Sequence, residues 1–209
     1  MYHKLLLSIF IFLSYFTVAN GVEFTKGDYY IEIKGNLSKG KEVTEFFSFY
    51  CPHCFKQEPL MNELIALLPA DATFKKNHVD NMPGQNLLIE QALTKALITA
   101  DILKVKEIIV PAIFKYIHTD KAKFYNEKDI KNIFLIHGVD ENAFDKTFAS
   151  FHVANQFKKM QKKTKYLRQQ GIGSVPTLII NGRYKPLTNN IKSMDEYKKL
   201  ISYLLNKKV

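Results

Sequence analysis

The sequence predicts an α/β fold, an α/β core interrupted by a helical insertion, and three observations carry that reading. Strand-like apolar runs stand on both sides of a long helical block. That block, residues 86–157, keeps helical periodicity throughout. A Cys-x-x-Cys pair, Cys51-Pro52-His53-Cys54, joins the strongest strand signal to a helix. The resulting order is strand, strand, dithiol helix, strand, helical block, helix, hairpin, helix.

Taken in order, residues 28–33 alternate like a short strand, and 34–41 read as a loop rich in Gly, Asn and Ser. Residues 43–50 (VTEFFSFY) are nearly continuous apolar and aromatic, as expected of a strand buried on both faces. Leu60, Met61, Leu64, Ile65 and Leu68 recur at helical spacing, so a helix should start at the dithiol and run to about Leu68. Pro52 suits its first turn. Pro59 lacks the donor for the Phe55 carbonyl, and a kink is expected there. Residues 72–79 form a second core strand.

Within the block, Leu87 to Leu97 mark one helix, and Ile108 to Ile117 another with Pro111 in its path. Ile130 to Ile136 mark a third, ending at Gly138. A further helix is expected over 143–153, and a polar, basic one over 155–170. Strand character returns at 177–180. Asn181-Gly182 then signals a hairpin turn into Arg183-Tyr184-Lys185. A closing amphipathic helix is expected over 195–206, capped by Ser193 or Asp195.

The N-terminus reads as a secretion signal. Lys4 provides a positive start, residues 5–16 form an apolar run of about 12 residues, and small residues follow. That run is shorter than the roughly 20 residues a membrane span needs. Cleavage is expected after Ala19 or Gly21. No later segment is apolar enough to span a bilayer, and no nucleic-acid partner is expected. The formal charge is +10, of which the first 21 residues hold one lysine and no acid. The lysines are dispersed among acids, which favours a solvated basic surface over a dedicated acidic partner or membrane contact.

Export changes the meaning of the two cysteines, the only ones in 209 residues. A bridge between them would close a very short loop and remove little unfolded-state entropy, so a structural staple is poorly motivated. A zinc site would need about four ligands, with His78 and another histidine joining the pair. A redox dithiol explains the arrangement better. Cys51 is expected at a helix N-terminus, where free N–H groups and the helix dipole favour a thiolate. His53 can add a hydrogen bond or positive charge. A stabilised thiolate makes the oxidised pair a disulfide donor and Cys51 a good leaving group. Cys51 is expected to be the exposed thiol, and Cys54, a turn deeper, its buried resolving partner.

Ser174-Val175-Pro176 precedes the strand at 177–180. With the dithiol, this proline resembles the thioredoxin architecture, in which a proline entering such a strand is cis and packs against the dithiol; the backbone before it can pair with an extended substrate. Glu45 is a charge in an otherwise apolar strand, placed by parity on the side of Cys51. A buried carboxylate needs a partner, and Lys76 in the next strand is the candidate. The pair would act as a proton relay or tuner for Cys54, with Glu58 in a weaker version of that role. His78, His118, His137 and His152 show no ligand spacing, so surface or satisfied core positions are expected.

The stretch from Glu45 to Cys54 closely resembles the active site of the DsbA family of periplasmic thiol:disulfide interchange proteins. The resemblance extends to Lys76-Asn77-His78-Val79, the helical block, Ser174-Val175-Pro176 and Asn181-Gly182-Arg183-Tyr184. It implies a thioredoxin fold: a signal peptide at 1–21, a first thioredoxin part at 22–81, an inserted helical domain at 82–160 and a second thioredoxin part at 161–209. It implies a disulfide oxidase with no cofactor beyond the Cys51–Cys54 disulfide. The implied partners are unfolded or folding exported proteins with free thiols, and a DsbB-like, quinone-linked membrane reoxidant. Ser174 stands where many members carry glycine and adds a side chain at the groove rim. An exported reductase or specialised exchange protein of the same fold is the alternative. An isomerase of the DsbC type would carry an N-terminal dimerisation domain, for which the chain has no room, so a monomer is expected.

Overall fold

The computed structural model describes residues 23–35 and 38–207; the expected signal segment lies outside them. Twelve elements follow the chain: β1 (Tyr30–Glu32), β2 (Lys41–Phe47), α1 (Pro52–Leu67), β3 (Ala72–His78), α2 (Leu87–Ile102), α3 (Lys106–His118), α4 (Glu127–Ile136), α5 (Glu141–Phe148), α6 (Phe151–Gln169), β4 (Thr177–Ile180), β5 (Tyr184–Pro186) and α7 (Met194–Asn206). The strands form one sheet in the order β1-β5-β4-β2-β3. β2 and β3 are parallel, joined by the crossover α1, and the other pairs are antiparallel.

β2 is an interior strand with a different core on each face. Val43 packs with Met61, Leu64 and the α7 residues Leu200 and Leu204. On the other face Phe46 meets Leu167 of α6. The third cluster lies among α2 to α5, and Phe47, Phe49 and Cys54 pack into it. The aromatic run after β2 thus plugs the dithiol end of the sheet into the helical block.

Several expectations meet a physical correction. The strand expected through residue 50 ends at Phe47, whose carbonyl takes the last ladder bond from Val79 N–H. Beyond it the Phe49 amide is claimed by His78 and the Cys51 amide by the Ser48 carbonyl. The chain therefore turns, and strand parity cannot be carried from Glu45 to Cys51. The helix expected over 143–153 is broken at Ala149-Ser150, because the Ser150 hydroxyl caps a new helix by accepting from Val153 N–H. α6 then runs unbroken from Phe151 to Gln169, where the sequence predicts separate helices over 143–153 and 155–170. Ser193, not Asp195, caps α7.

Candidate active site

The site is built where β2 ends and α1 begins. Ser48 turns the chain, its carbonyl accepting from Cys51 N–H and its hydroxyl from Tyr50 N–H. Cys51 is then the N-cap of α1, with extended backbone, and Pro52 occupies the first turn. The Cys54 N–H donates to the Cys51 sulfur at 3.2 Å. A sulfur thus takes the capping place usually held by a hydroxyl or carboxylate oxygen, in the positive field of the helix terminus.

Both cysteines stand as thiols. Cys51 is less open than expected, at 5% exposure, because the loop before β4 folds over it. Its thiol donates to the Val175 carbonyl at 3.5 Å, and the Val175–Pro176 peptide bond is cis. Cys54 is fully buried. Burial, followed by the Cys51 sulfur beside it, pushes the Cys54 thiol far above the usual thiol range. The two sulfurs are therefore unlike in environment: one caps a helix and one is sealed in the core.

His53 is exposed and makes no hydrogen bond to Cys51; the donor to that sulfur is the Cys54 amide. His53 instead sits at the mouth of a groove of about 680 Å³, whose wall includes Ser174, Val175, Pro176, Leu187 and Met194.

Beneath the dithiol lies a buried charge cluster. Glu45 and Lys76 are register partners in the parallel β2–β3 pair. The Lys76 ammonium bridges Glu45 Oε2 at 2.7 Å and Glu58 Oε1 at 2.6 Å. Glu45 is fully buried, and its Oε1 has no hydrogen-bond partner among the described residues. Burial raises the Glu45 carboxyl above its ordinary value despite the adjacent ammonium. For Lys76, burial opposes the charge, but Glu45 and Glu58 outweigh it and hold the ammonium protonated above its usual range. Glu58 and Lys76 also line a cleft of about 320 Å³ between α1, β3 and α3. The cluster therefore connects the neighbourhood of Cys54 to an open surface.

Two histidines support the turn, a role that no local sequence spacing signals. His78 Nε2 accepts from Phe49 N–H at 3.2 Å, so its Nδ1–H donates to Thr94 Oγ1 at 2.7 Å. Both nitrogens are committed, which removes His78 as a zinc ligand. Complete burial lowers its pKa to about 3. His118 Nε2–H donates to the Phe49 carbonyl at 2.8 Å, and its ring stacks on Phe55 at 5.0 Å. His118 lies 69 residues from Phe49 in a helix of the inserted block, and no local spacing signals that contact.

Comparison with known proteins agrees with this geometry. A model of the DSBA-like thioredoxin domain matches residues 42–202. The chain belongs to the DsbA family. It is 34% identical to the thiol:disulfide interchange protein DsbA of Buchnera aphidicola, covering 98% of this chain and 99% of that protein. It is 30% identical to the DsbA of Pectobacterium carotovorum over 91% and 92% of the two chains. Among solved structures, a Proteus mirabilis DsbA with a non-covalently bound peptide superposes with TM-score 0.74 at 27% identity, over 88% of this chain and 97% of that one. A Pseudomonas aeruginosa DsbA superposes with TM-score 0.73 at 26% identity, with the same coverage. The protein is thus a thiol:disulfide oxidoreductase of DsbA type with a thioredoxin-like fold.

Proposed function

We propose that the protein is a periplasmic disulfide oxidase that donates its Cys51–Cys54 disulfide to newly exported proteins. A quinone-linked membrane partner of DsbB type then reoxidises it. The observation that carries the direction of transfer is the capping position of Cys51, whose sulfur accepts the Cys54 N–H at the start of α1. A helix terminus stabilises the thiolate, hence the reduced protein, hence outward donation of the disulfide.

The reaction runs in two exchanges. A substrate thiolate attacks Cys51 Sγ, the Cys51–Cys54 bond breaks, and Cys54 leaves and takes up a proton. A second substrate thiolate then attacks the substrate sulfur of the mixed disulfide and expels Cys51 as the stabilised thiolate. The substrate loses two electrons to its new disulfide, and the two protein sulfurs gain them. In this reading Glu45, held by the Lys76 ammonium that Glu58 shares, delivers and collects the Cys54 proton, because its raised pKa lets it carry one. The Val175 backbone and Pro176 receive the extended substrate beside Cys51 by strand addition, and a Proteus relative has been solved with a non-covalently bound peptide. His53 adds polarity at the groove mouth. The same reading takes residues 1–21 as the export signal. It takes 82–160 as a helical domain inserted between thioredoxin parts at 22–81 and 161–209.

The test is a redox titration of the full chain against glutathione. The expected midpoint is more oxidising than the glutathione couple. A midpoint well below that couple would overturn donation and favour an exported reductase.

A further inference from the structure

The groove beside Cys51 has an asymmetric charge. Lys185 on β5 and Lys192 before α7 both contribute to its wall, with His53 at its mouth, and no Asp or Glu lines it. Neither ammonium has a carboxylate within ion-pair distance among the described residues, whereas Lys41, Lys106 and Lys131 pair with Asp71, Asp101 and Asp145. The nearest acids in sequence are Asp195 and Glu196; Glu196 accepts the Lys192 backbone N–H at 2.7 Å, and neither lines the wall. The rest of the wall is apolar or neutral, including Val175, Pro176, Leu187 and Tyr197. An extended chain paired with the Val175 backbone would therefore run past two cations that no lining carboxylate neutralises.

We propose that this groove selects substrate segments carrying carboxylates beside the reacting cysteine, and that Lys185 and Lys192 set the preference. The proposal rests on the oxidase reading and deepens it by naming the substrate class. The physical basis is complementarity: a carboxylate next to the cysteine gains from both cations, whereas a lysine there meets like charge with no acid to relieve it. Partial enclosure by the groove screens these charges less than the open surface does. The preference acts on capture of the substrate by Cys51, so it belongs to kcat/KM and not to the Cys54 proton step.

The experiment compares three dithiol peptides bearing a fluorophore, since the chain has no tryptophan. They are identical except that glutamate, serine or lysine flanks the attacking cysteine. With the oxidised full chain, kcat/KM for the acidic peptide should exceed that for the basic one by about tenfold at low salt, falling to about twofold at high salt. Lys185→Glu/Lys192→Glu should invert the order. Lys192→Glu alone, in a loop and exposed, should shift it in the same direction if the double variant folds poorly. Lys158→Glu/Lys162→Glu on the exposed side of α6 changes net charge equally and should keep the wild-type ratio. Equal rates on all three peptides, or an equal loss of preference in the α6 control, would overturn the assignment to the groove. Failure to oxidise any peptide would instead overturn the oxidase reading on which it stands.

Discussion

At the scale of single residues, the site depends on two side chains placed against their chemical preference. A sulfur caps a helix at Cys51, and a carboxylate is sealed inside the sheet at Glu45. The second is tolerable only because Lys76 sits opposite in register and Glu58 shares the ammonium. Removing one partner of such a cluster costs more than the cluster contributes, since a charge is left buried and alone. Lys76→Met should therefore lower stability by about 3 kcal/mol at pH 8 in urea unfolding. The loss should shrink toward pH 5, where a lone buried carboxyl takes up a proton, and Lys76→Met/Glu45→Gln should recover most of it. Additive losses in the double variant would show that the pair is not coupled. The Glu45–Lys76 pairing was readable in advance because a charge in an apolar strand demands a partner. The role of His118 was not, because its contact with Phe49 exists only once α3 is folded over the strand end.

At the scale of elements, the hairpin shows how much a short motif can hide. Asn181-Gly182 announced a turn, and both residues adopt positive φ, 51° and 70°. The Asn181 side chain does more. Its Oδ1 accepts from Glu42 N–H at 3.0 Å, and its Nδ2 donates to the carbonyls of Leu204 and Leu205 at the end of α7. One residue thus ties β2, the hairpin and the last helix together. Asn181→Ala should cost about 3 kcal/mol, through the lost bonds to buried groups and the strained backbone. Asn181→Gly should cost about 1 kcal/mol less, because glycine keeps the positive φ. Equal midpoints for the two variants in urea would assign the whole effect to the side-chain bonds. Likewise the α5–α6 break came from a serine cap that apolar periodicity could not register, since Phe144, Phe148 and Phe151 keep helical spacing across it.

At the scale of the whole molecule, the helical block and the sheet are locked through buried His78, which joins Phe49 beyond β2 to Thr94 of α2. That joint is pH-sensitive in a defined direction. The folded pKa, about 3, lies below the ordinary value of 6.5, so the unfolded chain binds more protons between them. Stability from His78 is fully present above pH 6.5 and is lost as pH falls toward 3. Between pH 7.5 and 5 the loss is about 2 kcal/mol. Glu45, raised by burial, acts with the opposite sign above the ordinary carboxylate range. The difference between wild type and His78→Gln therefore isolates the histidine: the variant should lose less stability on acidification, and parallel pH curves would reject the assignment.

The sequence by itself determined the dithiol, its place between an apolar strand and a helix, the proline loop that faces it and the charge pair beneath it. These are set by local constraints: helix termini, turn chemistry and the cost of burying a charge. Only the tertiary structure decided that Cys51 lies under the Val175 carbonyl, that β2 stops at Phe47 and that His78 and His118 hold the following turn. It also decided that Lys185 and Lys192 line the groove walled by Val175 and Pro176, beside Cys51, with no acid in that lining. Those relations join residues tens of positions apart, and sheet order and helix packing, not local periodicity, bring them into contact.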